Sequence, residues 1–143
     1  MGRPGVWASL GLTAFLTGCS TVYSMSLSGD LERPTASFRQ AGKPVDLCLS
    51  SLEIRDRSDG TPVGRLVWEI RAEAECITLG SISYGELPTG FKLVHAAEPL
   101  RRGVIYEAFG MGVTTGFFGV SAAGGGKFAY HDGGWWQPSG SVR

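Results

Sequence analysis

The chain has 143 residues, of which 43% are hydrophobic and 18% are charged, and its 13 basic side chains balance 13 acidic ones. This length supports one globular domain with a modest core. The balanced charge excludes the basic stripe that nucleic-acid binding requires, so we expect no nucleic-acid partner.

The amino-terminal segment has the pattern of a leader. Arg3 supplies a short positive region, and an uncharged apolar run extends from Val6 to Leu16. The run is too short for a membrane span, which needs about 20 apolar residues. It has the length of the hydrophobic part of a secretory signal. The alternative is a core helix or strand, but Gly11 would weaken a helix.

The leader ends in LTGC, with small residues between Leu16 and Cys19. This motif resembles the lipobox of bacterial lipoprotein precursors. The resemblance implies a diacylglyceryl group on the Cys19 thiol, cleavage between Gly18 and Cys19, and acylation of the new amine. Residues 1–18 would be the signal peptide and residues 19–143 one periplasmic domain with a short tether. Membrane lipid is thus an expected partner, since two or more acyl chains anchor a protein firmly.

The residue after the lipidated cysteine bears on location. In lipoproteins of this type, Asp there commonly signals retention in the inner membrane, whereas this chain has Ser20. The resemblance therefore implies an outer-membrane lipoprotein, which we expect to face the periplasm.

The first mature segment predicts one strand followed by a loop. Residues 20–29 alternate small polar and larger apolar side chains, which favours a strand. Residues 30–44 contain Pro34, Gly42 and Pro44, which indicates a loop with a short strand or helical turn near Phe38.

The next two segments predict a hairpin. Val45, Leu47 and Leu49 alternate, but the apolar positions then change phase, so we predict a bulge near Ser50–Ser51. Asp59–Gly60 is a strong hairpin signal. Beyond it, residues 65–76 place apolar side chains at every second position, with only Val67 out of phase. This pattern favours a half-buried strand, although a helical stripe competes with it.

The remainder of the chain predicts further short strands. The segments ITLGSISY, FKLVHA, GVIYEAF, GFFGVSA and KFAYHD are each bounded by Gly or Pro. We expect an all-β fold: a small antiparallel β-sandwich, Ig-like or transthyretin-like, with seven or eight strands. The glycine-rich stretches GMGVTTG and AGGGKF lack the spacing of phosphate-binding loops, so we interpret them as turns.

The three cysteines are an odd number for a secreted protein. If Cys19 carries lipid, Cys48 and Cys76 remain as a pair, and the oxidising periplasm permits a disulfide. Closing that loop would stabilise the fold by roughly 3–4 kcal/mol. Two unpaired buried thiols are the alternative. The strand phases place the two residues on different faces, which leaves their pairing open.

Candidates for catalysis are weak. His95 is in phase with Phe91 and Leu93, which is typical of a core or edge histidine. His131 adjoins Asp132, but neighbouring residues on a strand face opposite ways. Ser121 lacks the second glycine of a nucleophile elbow. We therefore expect no enzymatic activity, no cofactor and no metal site.

The carboxyl-terminal aromatic residues are candidates for a ligand or partner surface. Tyr130, Trp135 and Trp136 lie close together in the sequence and could bind a sugar or peptide, close the core, or meet a partner protein. The leading hypothesis is a non-catalytic, lipid-anchored binding or accessory component of the cell envelope, with an envelope protein as its partner. A glycan- or peptidoglycan-binding module and an envelope hydrolase are the alternatives.

Overall fold

The computed structural model describes residues 22–113 and 121–137, and each regular element in these ranges is a β-strand. Seven strands have five or more residues, and four have two or three. The predicted all-β class is therefore confirmed, and the seven longer strands match the expected number. The strands are β1 (Val22–Ser28), β2 (Thr35–Gln40), β3 (Lys43–Pro44), β4 (Leu47–Asp56), β5 (Arg65–Ala72), β6 (Ile77–Leu79), β7 (Ser81–Ser83), β8 (Phe91–His95), β9 (Tyr106–Val113), β10 (Ser121–His131) and β11 (Gly134–Trp136).

The strands pair into one connected sheet, consistent with a small β-sandwich. Its main path runs β3-β2-β1-β10-β9-β4-β5-β8, and β11 pairs with β10. Residues 77–83 pair with β4 through β6 and with β2 through β7, so this segment connects strands that are distant on the path. Among the described strands, only β1 and β10 pair in parallel. They can do so because nearly the whole domain lies between them in the chain.

The core forms from the alternating apolar positions of these strands. Trp68 packs its ring against Tyr84 in an edge-to-face arrangement with centroids 5.2 Å apart. Each fully buried large apolar side chain contributes about 1.5–3 kcal/mol relative to exposure. The largest of the fully buried apolar side chains are Trp68, Phe38, Phe128, Met25, Leu47, Leu49, Leu52, Ile70 and Val67.

Strand β4 contains the predicted bulge. Its pairing with β9 shifts between Leu49 and Ser51, which leaves Ser50 outside the ladder. The Ser50 hydroxyl donates to the Met111 carbonyl over 2.9 Å. The extra residue restores Leu52 and Ile54 to the buried face, so the prediction from the phase change is confirmed.

Strand β5 is shorter than its sequence pattern indicated. It pairs with β4 around the Asp59–Gly60 connection, as predicted, but it ends at Ala72. The pairing skips Val67, which explains the one residue out of phase. Beyond Ala72 the chain bends toward β6, so the predicted strand through Cys76 is wrong over its last four residues.

The bend in residues 73–76 resolves the question of the cysteine faces. Cys48 and Cys76 form a disulfide with their Cα atoms 5.2 Å apart. Because β5 ends at Ala72, the alternation that would place Cys76 on the same face as Trp68 does not extend to Cys76. The disulfide sits beside the antiparallel pair of β4 and β6, where Cys48 lies opposite Thr78.

The described residues of the two glycine-rich stretches that we interpreted as turns, 110–113 and 123–128, lie in strands instead. Gly110 and Gly112 belong to β9, and Gly124–Gly126 belong to β10, where Gly124 pairs with Gly110. A Cβ on Gly112 would come within 2.5 Å of the Cys48 carbonyl oxygen. These glycines therefore allow the backbones of neighbouring strands to approach closely. Composition alone does not distinguish this role of glycine from its role in turns.

The predicted signal peptide at 1–18, together with Cys19 and Ser20, lies outside the described residues. Most of the predicted GFFGVSA strand does so too, since only its last two residues fall in β10.

Candidate functional site

The three carboxyl-terminal aromatic residues do not share one surface. Tyr130 is buried, and its ring contacts Trp135 edge-to-face with centroids 5.4 Å apart. Trp135 packs against the core, and its indole N–H donates to the Asp30 carbonyl over 3.2 Å. Trp136 follows it on β11 and is 44% exposed. Because adjacent strand residues face opposite ways, Trp135 and Trp136 do not line one platform.

The two histidines have carboxylate neighbours and lie in different parts of the fold. His95, at the end of edge strand β8, has its Nε2 3.1 Å from Glu98 Oε1. His131 Nε2 lies 3.4 Å from Asp132 Oδ2, and both side chains are largely exposed. Asp132 is in a turn with a φ of 49°, so the expectation of opposite faces on a strand does not apply to this pair. The side chain of Ser121 is outside the described part of the chain.

A buried carboxylate that the sequence did not single out lies at the end of β4. The Asp56 side chain is only 3% exposed. It accepts hydrogen bonds from the Ser58 backbone N–H at 2.8 Å and from Arg101 Nη2 at 2.8 Å. Arg65 Nη2 approaches the same carboxylate to 3.6 Å. Burial by itself raises the pKa of Asp56, but the hydrogen bonds from Ser58 and Arg101 outweigh it and lower that pKa overall.

The ion pairs continue across the neighbouring loop. Arg65 also pairs with Glu98, which contacts His95. The hydrogen bond from Arg65, followed by the contact with His95, lowers the pKa of Glu98. The Tyr84 hydroxyl donates to the Glu98 carbonyl over 2.6 Å, and burial raises the pKa of that phenol. We call Asp56, Arg65, His95, Glu98 and Arg101 the Asp56 network.

The Asp56 network holds loop 96–105 against the end of the sheet. The Tyr106 hydroxyl accepts the Arg101 backbone N–H at 2.8 Å, which adds a neutral hydrogen bond to the ion pairs. Each charged member contacts a partner of opposite charge, so the network fits a structural role better than proton transfer to a ligand.

A different part of the sheet exposes apolar side chains. Strand β9 alternates buried and exposed positions, and its exposed side carries Phe109 (43% exposed) and Met111 (44% exposed). The β10 residue opposite Phe109 is Gly125, which has no side chain to cover the ring. On the other side, β4 presents Glu53 opposite Phe109. The ring and thioether of β9 therefore remain accessible to solvent.

A shallow groove of about 310 Å³ extends from Phe109 toward the β4–β5 connection. Its far wall contains Val63, which is 61% exposed. Its polar side chains neutralise one another: Arg57 Nε lies 3.4 Å from Glu107 Oε2, and the Arg55–Glu53 pair is at 3.0 Å. We call Val63, Phe109 and Met111 the β9 surface.

The β9 surface was not predicted from the sequence. The signal was present in FGMG, where two large apolar residues alternate with glycines. Interpreting this stretch as a turn hid the alternation. Because this stretch is a strand, its glycines face the packed interior and its large residues face outward.

Metal-binding clusters and membrane-spanning helices are both absent from the part of the chain that the structure describes. Within residues 22–113 and 121–137, no group of three or more His, Cys, Asp or Glu side chains is arranged to hold a metal ion. In the same ranges, no helix has the length and apolar character needed to cross a bilayer.

Comparisons with known proteins do not assign this chain to a family. None of the protein families, curated proteins or solved structures searched matched it.

Proposed function

We propose that this protein is a non-catalytic lipoprotein of the bacterial outer membrane that binds an envelope protein through the β9 surface. The observation that carries the proposal is the pair of large apolar side chains, Phe109 and Met111, exposed on one face of β9 next to two ion pairs, Glu53–Arg55 and Arg57–Glu107. Aromatic residues and Met are enriched at the centres of protein interfaces, and neutralised charges suit a rim.

The anchor is proposed from the LTGC motif at Leu16 to Cys19, as the resemblance to lipoprotein precursors implies. The Cys48–Cys76 disulfide supports a location outside the cytosol, because disulfides persist in oxidising compartments.

Binding is favoured over catalysis by the way the polar side chains are used. Asp56 and Glu98 share Arg65 as an ion-pair partner, and His95 contacts Glu98, so these side chains are already engaged within the Asp56 network. The glycan alternative is less favoured, because Trp135 packs against the core while Trp136 faces the other way.

The partner can be tested by site-specific photocrosslinking in intact cells. A photoreactive residue at Met111 should give one discrete protein adduct, because its side chain lies in the proposed interface. The matched control places the same residue at Glu86, which is exposed outside the β9 surface. The absence of a Met111 adduct, or the same adducts from both positions, would contradict binding through this surface.

The anchor needs a separate test. The Cys19→Ala variant should incorporate no radioactive palmitate and should leave the membrane fraction. Intact-mass analysis of the native protein should give a chain that begins at Cys19 and carries acyl groups. A mature chain that retains residues 1–18 would contradict the anchor and leave the partner test intact.

A further inference from the structure

The hairpin between β2 and β3 closes in a tight turn of two residues. Its two turn residues, Ala41 and Gly42, have φ values of 51° and 77°. Positive φ at both positions is the property of the type I′ turn, which matches the twist of paired strands. Gln40 pairs with Lys43 to close the turn. The turn therefore places Arg39 and Lys43 near each other at the tip of a short two-stranded ladder.

This hairpin carries two exposed cations. Arg39 and Lys43 flank the turn, and both are exposed. The Arg39 Nη1 group donates to the Gly42 carbonyl over 3.1 Å, which orients the guanidinium toward the tip. Within the described residues, neither cation lies within ion-pairing distance of a carboxylate, in contrast to the arginines of the Asp56 network. Their charges are available to an anion outside the domain.

The sheet register places the hairpin tip next to the start of β1. Ser24 pairs with Arg39 in the antiparallel β1–β2 ladder. Two residues further toward the amino terminus, Val22 is level with the turn at Ala41. Cys19 precedes Val22 by three residues, and a chain of that length spans at most about 11 Å. An acyl group on Cys19 therefore keeps this end of the sheet close to the bilayer surface.

We infer that Arg39 and Lys43 bind the phosphate headgroups of anionic phospholipids in the membrane that carries the acylated Cys19. The inference rests on the lipid anchor in the proposed function and adds a second, ionic contact. Its basis is the short tether, the register of the hairpin and two unpaired cations. Basic groups next to an anionic membrane surface each contribute about 1 kcal/mol.

The positive charge of the hairpin is local. Three exposed carboxylates lie toward the same end of the sheet: Asp46, which lines the same groove as Arg39, and Glu73 and Glu75 on the β5–β6 connection. They outnumber the two hairpin cations. The contact is therefore a headgroup contact at the hairpin tip and not the attraction of a broadly basic face. It also fixes which way the domain points: the Asp56 network, at the other end of β4, faces away from the bilayer.

Hydrogen–deuterium exchange of the mature lipidated protein tests this contact. The protein is reconstituted in vesicles of phosphatidylcholine alone or of phosphatidylcholine mixed with phosphatidylglycerol. Amides of the hairpin peptide, residues 39–43, should exchange about 25-fold more slowly in the mixed vesicles, from two cations at roughly fivefold each. The Arg39→Gln/Lys43→Gln variant should lose this difference. The matched control, Arg33→Gln/Arg102→Gln, removes two exposed cations elsewhere and should keep it.

The possible results separate the contact from the anchor. Slow exchange at core residues Met25 and Phe38 in every variant verifies that the fold is intact. If Cys19 carries acyl groups but hairpin exchange is the same in both vesicles, the headgroup contact is wrong and the anchor stands. The headgroup contact is also wrong if the hairpin variant keeps the difference. If intact mass shows no acylation of Cys19, the anchor fails and the membrane contact fails with it.

Discussion

The Asp56 network and the β9 surface differ in whether their side chains find partners within the domain. In the network, a nearly buried carboxylate is surrounded by donors from Ser58 and Arg101. On the β9 surface, Phe109 and Met111 expose more than two fifths of their surface while neighbouring charges pair with each other. The first arrangement satisfies its groups within the chain, whereas the second leaves apolar area that a partner could cover. Stability should therefore depend on the network and binding on the β9 surface.

The largest loss of stability is expected for Asp56→Ala. The variant should lose about 2–3 kcal/mol of unfolding free energy, because it removes charge-assisted hydrogen bonds to a buried carboxylate. Urea denaturation of the wild type, the variant and Glu86→Ala measures the change. Glu86 is exposed, so its variant should stay within about 0.5 kcal/mol. Equal stability for all three would mean that the Asp56 network does not hold the loop.

A second variant asks whether the glycine beside Phe109 is a packing requirement. Gly125→Ala would place a Cβ within 2.5 Å of the Ala108 carbonyl oxygen. We expect a loss of about 1–3 kcal/mol, since backbone atoms must move to make room. Thermal unfolding provides the measurement. The control is Gly134→Ala, where a Cβ meets no atom within 4 Å. A Gly125→Ala protein as stable as this control would contradict close packing of β9 and β10.

Acid should lower the free energy of unfolding by protonating carboxylates of the Asp56 network. The folded-state pKa of Asp56 is lowered, so its contribution to stability is complete above the unfolded pKa of about 3.9 and is lost as pH falls through the folded value. Glu98 contributes with the same sign. Unfolding free energy should thus fall mainly below about pH 4. Asp56→Asn should show a shallower fall, and identical acid profiles would exclude Asp56 as a source of this dependence.

The smallest effect on stability is expected at the β9 surface. Phe109→Ser/Met111→Ser should change unfolding free energy by no more than about 0.5 kcal/mol per site, because both side chains are already exposed. The same variant should prevent capture of the partner, which is measured with a crosslinker at neighbouring Glu107. Unchanged capture of the partner would show that the β9 surface is not the binding region.

Local patterns in the sequence predicted much of the strand content, and particular residues show where such patterns succeed and where they fail. The phase change after Leu49 predicted the bulge at Ser50, because alternation depends only on the strand itself. The same rule failed after Ala72, where the pattern continued but the strand did not. What ends β5 is the separate pairing of β6 with β4, which no alternation within residues 65–76 records.

Local patterns were enough to predict the all-β class, the β4–β5 hairpin and the main strand positions, because period-two alternation and turn residues are properties of neighbouring positions. Three other features follow from the tertiary fold: Cys48 meets Cys76, the glycines of β9 and β10 pair inside a sheet, and Asp56 is buried beneath Arg101. The fold also leaves Phe109 exposed to solvent, because its neighbour across the β9–β10 ladder is Gly125. These outcomes depend on residues distant in the chain, and strand pairing in space sets their distances.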